Sequence, residues 1–136
     1  MHFPSLVILA LAAVGGVSAC KSVSPDALPA TQAWLGLVDD ARYADSWTES
    51  ASFFRGKIDS PTWEKSVAIA RAPLGKVTSR VVKSSTATTS LPGAPDGEYV
   101  VFQFDTTFEH KPGASEKVTP MKDADGTWRV SGYYVK

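Results

Sequence analysis

The fold is decided by the stretch from Glu98 to Glu109, which reads EYVVFQFDTTFE. Its residue types alternate, as in a strand that is buried on one face and exposed on the other. We expect one face to carry Val100, Phe102, Phe104, Thr106 and Phe108, and the opposite face to carry Tyr99, Val101, Gln103, Asp105, Thr107 and Glu109. The apolar face must be covered, so the rest of the chain has to supply a second layer.

Three further strands are predicted around this one. Residues 75–85 are rich in Val and Thr and precede it across a turn-rich loop, 91–97. A loop at 110–115 leads to a third strand at 116–122, where Pro120 predicts an edge position or a bulge. After a tight turn at Asp123-Ala124-Asp125-Gly126, the final strand covers 127–135. We expect that strand to place Trp128, Val130 and Tyr134 on one face.

The covering layer is predicted to be three helices that precede the strands. The first covers 27–38, with Asp26 as its N-cap. The second ends at Gly56, and the third runs from Ser60-Pro61 to Ala72-Pro73. Their apolar stripes are Ala30, Trp34, Leu37, Val38 and Ala41, then Tyr43, Trp47, Ala51 and Phe54, then Trp63, Val67 and Ala70.

Helices followed by antiparallel strands predict an α+β domain. We expect N-terminal helices packed on a curved four-stranded antiparallel sheet. This arrangement looks like the cystatin or nuclear-transport-factor-2-like architecture, a likeness of fold that does not define a function.

The N-terminal residues 1–19 have the character of a leader. The apolar run 6–19 is shorter than the ~20 residues that a transmembrane helix needs, and small residues precede Cys20. Ending in Val17-Ser18-Ala19-Cys20, it resembles a bacterial lipoprotein signal with its lipobox. The resemblance implies cleavage between Ala19 and Cys20, acylation of Cys20 and attachment to a membrane. Residues 20–26 would form a short tether, and 27–136 a single domain.

Two other interpretations of residues 1–19 remain open. The same small residues fit an ordinary secretory signal, although its cleavage would leave an unpaired thiol, because Cys20 is the only cysteine. A buried core helix conflicts with Gly15-Gly16. Under the lipoprotein interpretation, Lys21 in place of aspartate implies an outer-membrane location in the cell envelope, facing the periplasm.

The charge and composition of the chain narrow its partners. Fourteen basic and fourteen acidic residues give no net charge, so nothing indicates nucleic-acid binding. After cleavage His110 would be the one histidine, which argues against a zinc site or a histidine-based catalytic triad. We expect neither a metal nor a cofactor. The expected partners are the membrane, through the lipid, and an envelope protein.

Several side chains are candidates for a pocket. Asp39, Asp40 and Asp45 surround Arg42, as either a proton-transfer pocket or an ordinary helix-end charge cluster. Arginines in strands, such as Arg80 and Arg129, can pair with carboxylates or bind an anion. The candidate pocket residues are Tyr43, Asp45, Arg80, Tyr99 and Tyr133.

Four segments in this order resemble the bacterial domain of unknown function 4019 family. They are TQAWL with YADSW (31–35, 43–47), RAPLG (71–75), DGEYVV through FEHK (96–111), and VTPM with DGTWRVSGY (118–121, 125–133). The resemblance covers roughly residues 29–136 and implies a secreted or envelope protein of one small domain. It implies no catalytic residues.

Two functional hypotheses follow. In the first, the protein is a lipid-anchored envelope domain that binds a partner without catalysis. In the second, it is a small metal-free isomerase or dehydratase that uses a buried Asp/Tyr pair. A cavity of about 300 Å³ or more, in which a buried carboxylate and a tyrosine converge, would favour the enzyme.

Overall fold

The computed structural model describes residues 22–136, so the leader and Cys20 lie outside the described residues. Four helices come first: α1 (Ala27–Asp39), α2 (Tyr43–Thr48), α3 (Ser52–Lys57) and α4 (Ser60–Arg71), which continues into a 3-10 turn (Ala72–Leu74). Four strands follow: β1 (Val77–Thr88), β2 (Tyr99–Phe108), β3 (Lys111–Lys122) and β4 (Trp128–Val135). No helix among these residues is long and apolar enough to span a membrane.

The strands form one antiparallel sheet in the order β1-β2-β3-β4. The α+β class is therefore confirmed. The strand pairing defines two ends of the sheet. At the first, which we call the Trp128 end, Thr88 pairs with Tyr99, Tyr99 with Met121, and Lys122 with Trp128. At the second, the His110 end, Val77 and Lys111 both pair with Phe108 beside the turn at Glu109-His110.

The inward face predicted for the central strand is confirmed. Its five residues, Val100, Phe102, Phe104, Thr106 and Phe108, are each at most 2 % exposed. On the opposite face Tyr99 is the exception, because it is also buried. It packs with Ala51 and Met121 in a second, smaller cluster, and its hydroxyl donates to the Pro95 carbonyl.

The main core lies between the sheet and the helices. Trp34, Leu35 and Val38 of α1 and Trp63 and Val67 of α4 meet the inward residues of β2, together with Val118 and Val130. Trp63 lies edge-on to Phe54 and within 5.8 Å of Trp34, measured between ring centroids. A small domain can form a stable core from such aromatic area.

The predicted second helix is wrong as a single element, because the chain is extended at Ala51 between α2 and α3 (φ −60°, ψ 149°). The Ala51 N–H donates to the Val130 carbonyl at 2.8 Å. A bond to strand β4 thus replaces the helical bond. The break bends the chain so that Phe53 reaches the second cluster while Phe54 packs on the main core.

The boundaries of β3 also differ from prediction. The predicted loop at 110–115 is wrong, because β3 already begins at Lys111 and the turn comprises only Glu109 and His110. The predicted bulge is confirmed, with a register shift between Thr119 and Pro120. The edge position is wrong, since β3 lies between β2 and β4.

That register shift changes which tyrosine of β4 faces inward. Thr119 pairs with Gly132 and Pro120 with Val130, which leaves Ser131 as the extra residue. One extra residue reverses the alternation of faces beyond it. Tyr133 therefore packs against the core with Val130, while Tyr134 is 60 % exposed. The prediction that Tyr134 shares the face of Val130 is wrong.

Of the described residues that precede α1, Val23 and Ser24 are held on the domain. Val23 packs against the main core. The Ser24 carbonyl accepts from Ala27 N–H at 3.2 Å, and its hydroxyl accepts from Asp26 N–H at 3.3 Å. Asp26 occupies the predicted N-cap position but makes no capping bond through its side chain.

Candidate functional site

A groove of about 470 Å³ lies between α1, α2 and the first residues of β4. Its apolar part is formed by Ala30, Ala33, Trp34 and Leu37 of α1 with Trp128 and Val130 of β4, and its polar part by Arg42, Asp45, Thr48, Glu49, Thr127 and Arg129. The volume falls within the range of ligand-binding clefts. The accessible part of this apolar wall is formed by Ala30, Ala33, Leu37 and Trp128, because Trp34 and Val130 are themselves buried.

The helical repeat explains why α1 presents this wall. Ala30, Ala33 and Leu37 are three and four residues apart, so they lie on one side of the helix. The indole of Trp34 is fixed, because its N–H lies 2.9 Å from the Ser46 carbonyl and 3.0 Å from the Ser50 hydroxyl. These bonds tie α1 to α2, so they hold the two helices that border the groove in place.

The charged rim of the groove is mostly paired within the chain. Arg42 donates to Asp45 at 2.8 Å, and the Asp45 side chain is about half exposed. On the opposite side, Arg129 makes two hydrogen bonds of 2.8 Å to Asp125. These bonds hold the pKa of Asp125 well below its ordinary value. Among residues 22–136, Glu49 is a rim carboxylate that makes no salt bridge.

A second group of charges lies between the helices and the sheet, where Glu116 and Arg71 are buried and Asp39 and Arg80 are partly buried. Asp39 at the end of α1 accepts from Arg71 at 2.8 Å and from Arg80 at 2.7 and 3.0 Å. Arg80 also donates to Glu116 at 2.8 Å. Glu116 is fully buried and accepts further bonds from Thr106, at 2.6 Å, and from the Tyr133 hydroxyl. We call Asp39, Arg71, Arg80, Thr106, Glu116 and Tyr133 the buried charge network.

The ionisation of the network follows from these contacts. Burial acts to raise the pKa of Asp39, but hydrogen bonds from Arg80 and Arg71 outweigh it and hold the pKa below its ordinary value. Burial acts to lower the pKa of Arg80, yet its bonds to Asp39 and Glu116 raise it. Burial and the Glu116 charge raise the pKa of the Tyr133 hydroxyl. The phenol is therefore held as a neutral donor.

The network is closed and electrically balanced. Two arginines face two carboxylates, so the charges cancel inside the domain. The Arg71 Nε is the one buried side-chain N or O atom of residues 22–136 without a hydrogen-bond partner, and its guanidinium lies 4.9 Å from the centre of the Phe108 ring. Such satisfied pairs fix the relative placement of elements. The arrangement supports a structural role.

The five predicted pocket residues lie in different places. Asp45 is on the groove rim, and Tyr43 is half-buried against the main core. Arg80 and Tyr133 belong to the buried charge network, and Tyr99 belongs to the second cluster. The structure brings together only Arg80 and Tyr133, which share Glu116.

The acidic residues that were predicted to surround Arg42 also lie in different places. Arg42 pairs with Asp45, whereas Asp39 turns toward Arg71 and Arg80. Pairing with carboxylates, expected for Arg80 and Arg129, is confirmed. In residues 22–136, no group of three His, Cys, Asp or Glu side chains is placed to hold a metal ion.

Glu116 was missed as a site residue, although the sequence contains a signal for it. Ala114, Glu116 and Val118 occupy alternate positions of β3 and are all buried. A carboxylate at an inward position of a strand requires a buried partner. The predicted loop at 110–115 concealed this alternation, because it contained Ala114 and made the strand begin only at Glu116.

Comparison with known families identifies the chain. Residues 30–133 match the family described as protein of unknown function (DUF4019). The chain therefore belongs to this family, as its four sequence segments predict. Comparison with curated proteins finds no match, and neither does comparison with solved structures.

Proposed function

We propose that this protein is a lipid-anchored module of the bacterial cell envelope, on the periplasmic side of the outer membrane, that binds a partner protein in its groove without catalysis. The observation that carries the binding role is the groove itself, whose apolar wall is bordered by charges that, apart from Glu49, pair within residues 22–136. An occupant would cover this apolar surface between the paired charges. An uncharged, apolar segment of an envelope protein fits this chemistry.

The alternative, a metal-free isomerase or dehydratase, requires a buried carboxylate and a tyrosine that face one cavity. The groove has an adequate volume, but no tyrosine of residues 22–136 lines it, and Asp45 is exposed and paired with Arg42. The buried pair of Glu116 and Tyr133 is engaged by Arg80 and Thr106. These contacts favour the binding module over the enzyme.

The helix layer and open sheet also support the finer proposal of a cystatin-like or nuclear-transport-factor-2-like architecture. In such an arrangement, helices lie on one face of an antiparallel sheet. Here α1 and α4 supply that layer. An experimental structure of residues 22–136 would test this proposal through its superposition on those folds.

Support for the anchor comes from the sequence of the leader, which ends in Val17-Ser18-Ala19-Cys20. Two or more acyl chains give stable attachment, because each buried methylene contributes about 0.8 kcal/mol. Metabolic labelling with a fatty-acid analogue tests this step. We expect label on the wild type and none on Cys20→Ser, and equal labelling of both would refute acylation at this cysteine.

Binding in the groove is tested by photocrosslinking in the native host. A photoreactive amino acid replaces Ala33, which lines the groove, or Ala44, which is exposed on α2 outside it. We expect a discrete adduct from position 33 alone, and its loss when Thr48→Trp fills the groove. Identical adducts from both positions, or an adduct insensitive to Thr48→Trp, would contradict binding there.

A further inference from the structure

The described chain begins at the Trp128 end of the sheet. Ser22 and Ser24 lie in a small recess of about 70 Å³ that is also lined by Thr88, Glu98 and Trp128. Trp128 lines both this recess and the groove. The point where the chain leaves the domain is therefore adjacent to one end of the groove.

Little slack separates Cys20 from the folded domain. Val23 is packed on the core, and Ser24 is hydrogen-bonded to Asp26 and Ala27. Cys20 precedes Ser22 by two residues, so the extended chain allows at most about 7 Å between their Cα atoms. A lipid on Cys20 must enter the bilayer close to Ser22.

We infer that the Trp128 end of the domain faces and contacts the lipid bilayer, with the His110 end directed away from it. This inference rests on the proposed acylation of Cys20. The surface that meets the lipid comprises the recess, the uncharged segment Leu91-Pro92-Gly93-Ala94-Pro95 of the β1–β2 loop, and the turn at 123–126. The groove then opens beside the membrane, where it would meet a membrane-proximal part of its partner.

The charge of this end indicates that the tether, and not attraction to lipid, maintains the contact. Five acidic and three basic side chains lie there: Asp26, Asp96, Glu98, Asp123 and Asp125, with Lys57, Lys122 and Arg129. Even with Lys21 the sum is negative. Anionic lipids attract basic segments, so they provide no attraction for this surface. The domain without its lipid should therefore remain off the membrane.

The length of the sheet makes the orientation measurable. Strand β2 has ten residues and is about 30 Å long at ~3.3 Å per residue. A probe at the His110 end should thus lie about 30 Å farther from the lipid headgroups than one at the Trp128 end. If the sheet lay flat on the bilayer, the two distances would be equal.

Two exposed prolines provide a matched pair of probe sites, Pro92 at the Trp128 end and Pro112 at the His110 end. Pro92→Cys and Pro112→Cys are each labelled with a fluorophore at the new cysteine. Cys20 is not labelled, because the acylated residue has no free thiol. The lipidated proteins are reconstituted into phosphatidylethanolamine/phosphatidylglycerol vesicles that contain headgroup spin-labelled lipid. We expect several-fold stronger quenching at position 92. Equal quenching, or stronger quenching at position 112, would overturn the orientation.

In a second experiment, the same two labelled variants carry Cys20→Ser and are mixed with the same vesicles. We expect no quenching at either position, and strong quenching at position 92 would overturn the role of the tether. Fatty-acid labelling separates the two proposals. If Cys20 is acylated but quenching is equal, only the orientation is wrong. If Cys20 is not acylated, the proposed anchor is wrong and this inference is wrong with it.

Discussion

Replacement of Glu116 by Gln is the sharpest test of the buried charge network. The substitution keeps the size of the side chain and removes its charge. Glu116 accepts from Arg80 and Thr106 through one oxygen and from Tyr133 through the other. A Gln amide has one acceptor oxygen and one donor nitrogen, so either the Tyr133 hydroxyl or the pair of Arg80 and Thr106 loses its acceptor.

The expected cost is large because Glu116 is fully buried. Removing its charge leaves Arg71 and Arg80 opposed by Asp39 alone. Loss of one partner from a buried ion pair destabilises a protein by about 3–5 kcal/mol. For a domain of this size, that corresponds to a decrease in Tm of roughly 10–20 °C.

Urea unfolding of residues 20–136 in a Cys20→Ser background, followed by tryptophan fluorescence, measures this free energy. We expect a lower midpoint with an unchanged m-value. Glu49→Gln is the matched control, since Glu49 is exposed and makes no salt bridge within residues 22–136; its effect should stay within about 0.5 kcal/mol. A Glu116→Gln variant as stable as this control would refute the structural role of the network.

Three further substitutions test single contacts. The pKa of Asp39 is lowered from 3.8, so the stability that this carboxylate contributes is present above pH 3.8 and is lost as the pH falls through the folded-state pKa. Asp39→Asn should therefore reduce the loss of stability at acid pH, measured by urea unfolding at a series of pH values. The pKa of Tyr133 is raised from 10.0, mainly by burial, so stability should fall as the pH rises above 10, and Tyr133→Phe should reduce that slope. In thermal unfolding, Gly75→Ala should lower the stability more than Gly126→Ala. Both positions have positive φ, but only at Gly75 would the new Cβ lie 2.8 Å from His110 Cδ2. Equal costs of the two glycine substitutions would refute the predicted clash.

Local pattern was sufficient to predict most of the fold. The alternation from Val100 to Phe108 specified the buried face of β2 before any contact was known, because a strand's side chains alternate strictly between its two faces. Pro120 predicted the bulge, since proline cannot donate to a regular ladder. These signals are contained within a few neighbouring residues.

The errors arose where a distant contact overrides local pattern. Ala51 continues a helical stripe, yet its N–H bonds to Val130, far along the chain. The extra residue Ser131 in β4 can be located only from the pairing with Thr119 and Pro120 on β3. Tyr133 and Tyr134 are chemically identical neighbours, so their order gave no indication of which one is buried.

The candidate site was harder to predict for the same reason. The network joins Asp39, Arg71, Arg80 and Glu116, which lie on α1, α4, β1 and β3. The sequence showed each charge but not its partner. The groove could not be predicted for another reason. Ala30, Trp34 and Leu37 form an apolar stripe, and such a stripe predicts a core contact. Leu37 is only half-buried there, because the wall of the groove continues the core outward.

The two sites are connected through α1, and this connection explains why the groove can be preformed. Asp39 fixes the C-terminal end of the helix to Arg71 and Arg80, while the indole N–H of Trp34 fixes its middle to α2. The helix therefore cannot move away from the sheet without breaking buried polar contacts. A binding surface that is rigid before binding loses little conformational entropy when it is occupied. Under the proposed binding role, these charges would contribute to recognition by holding the wall of the groove in place, although none of them lines it.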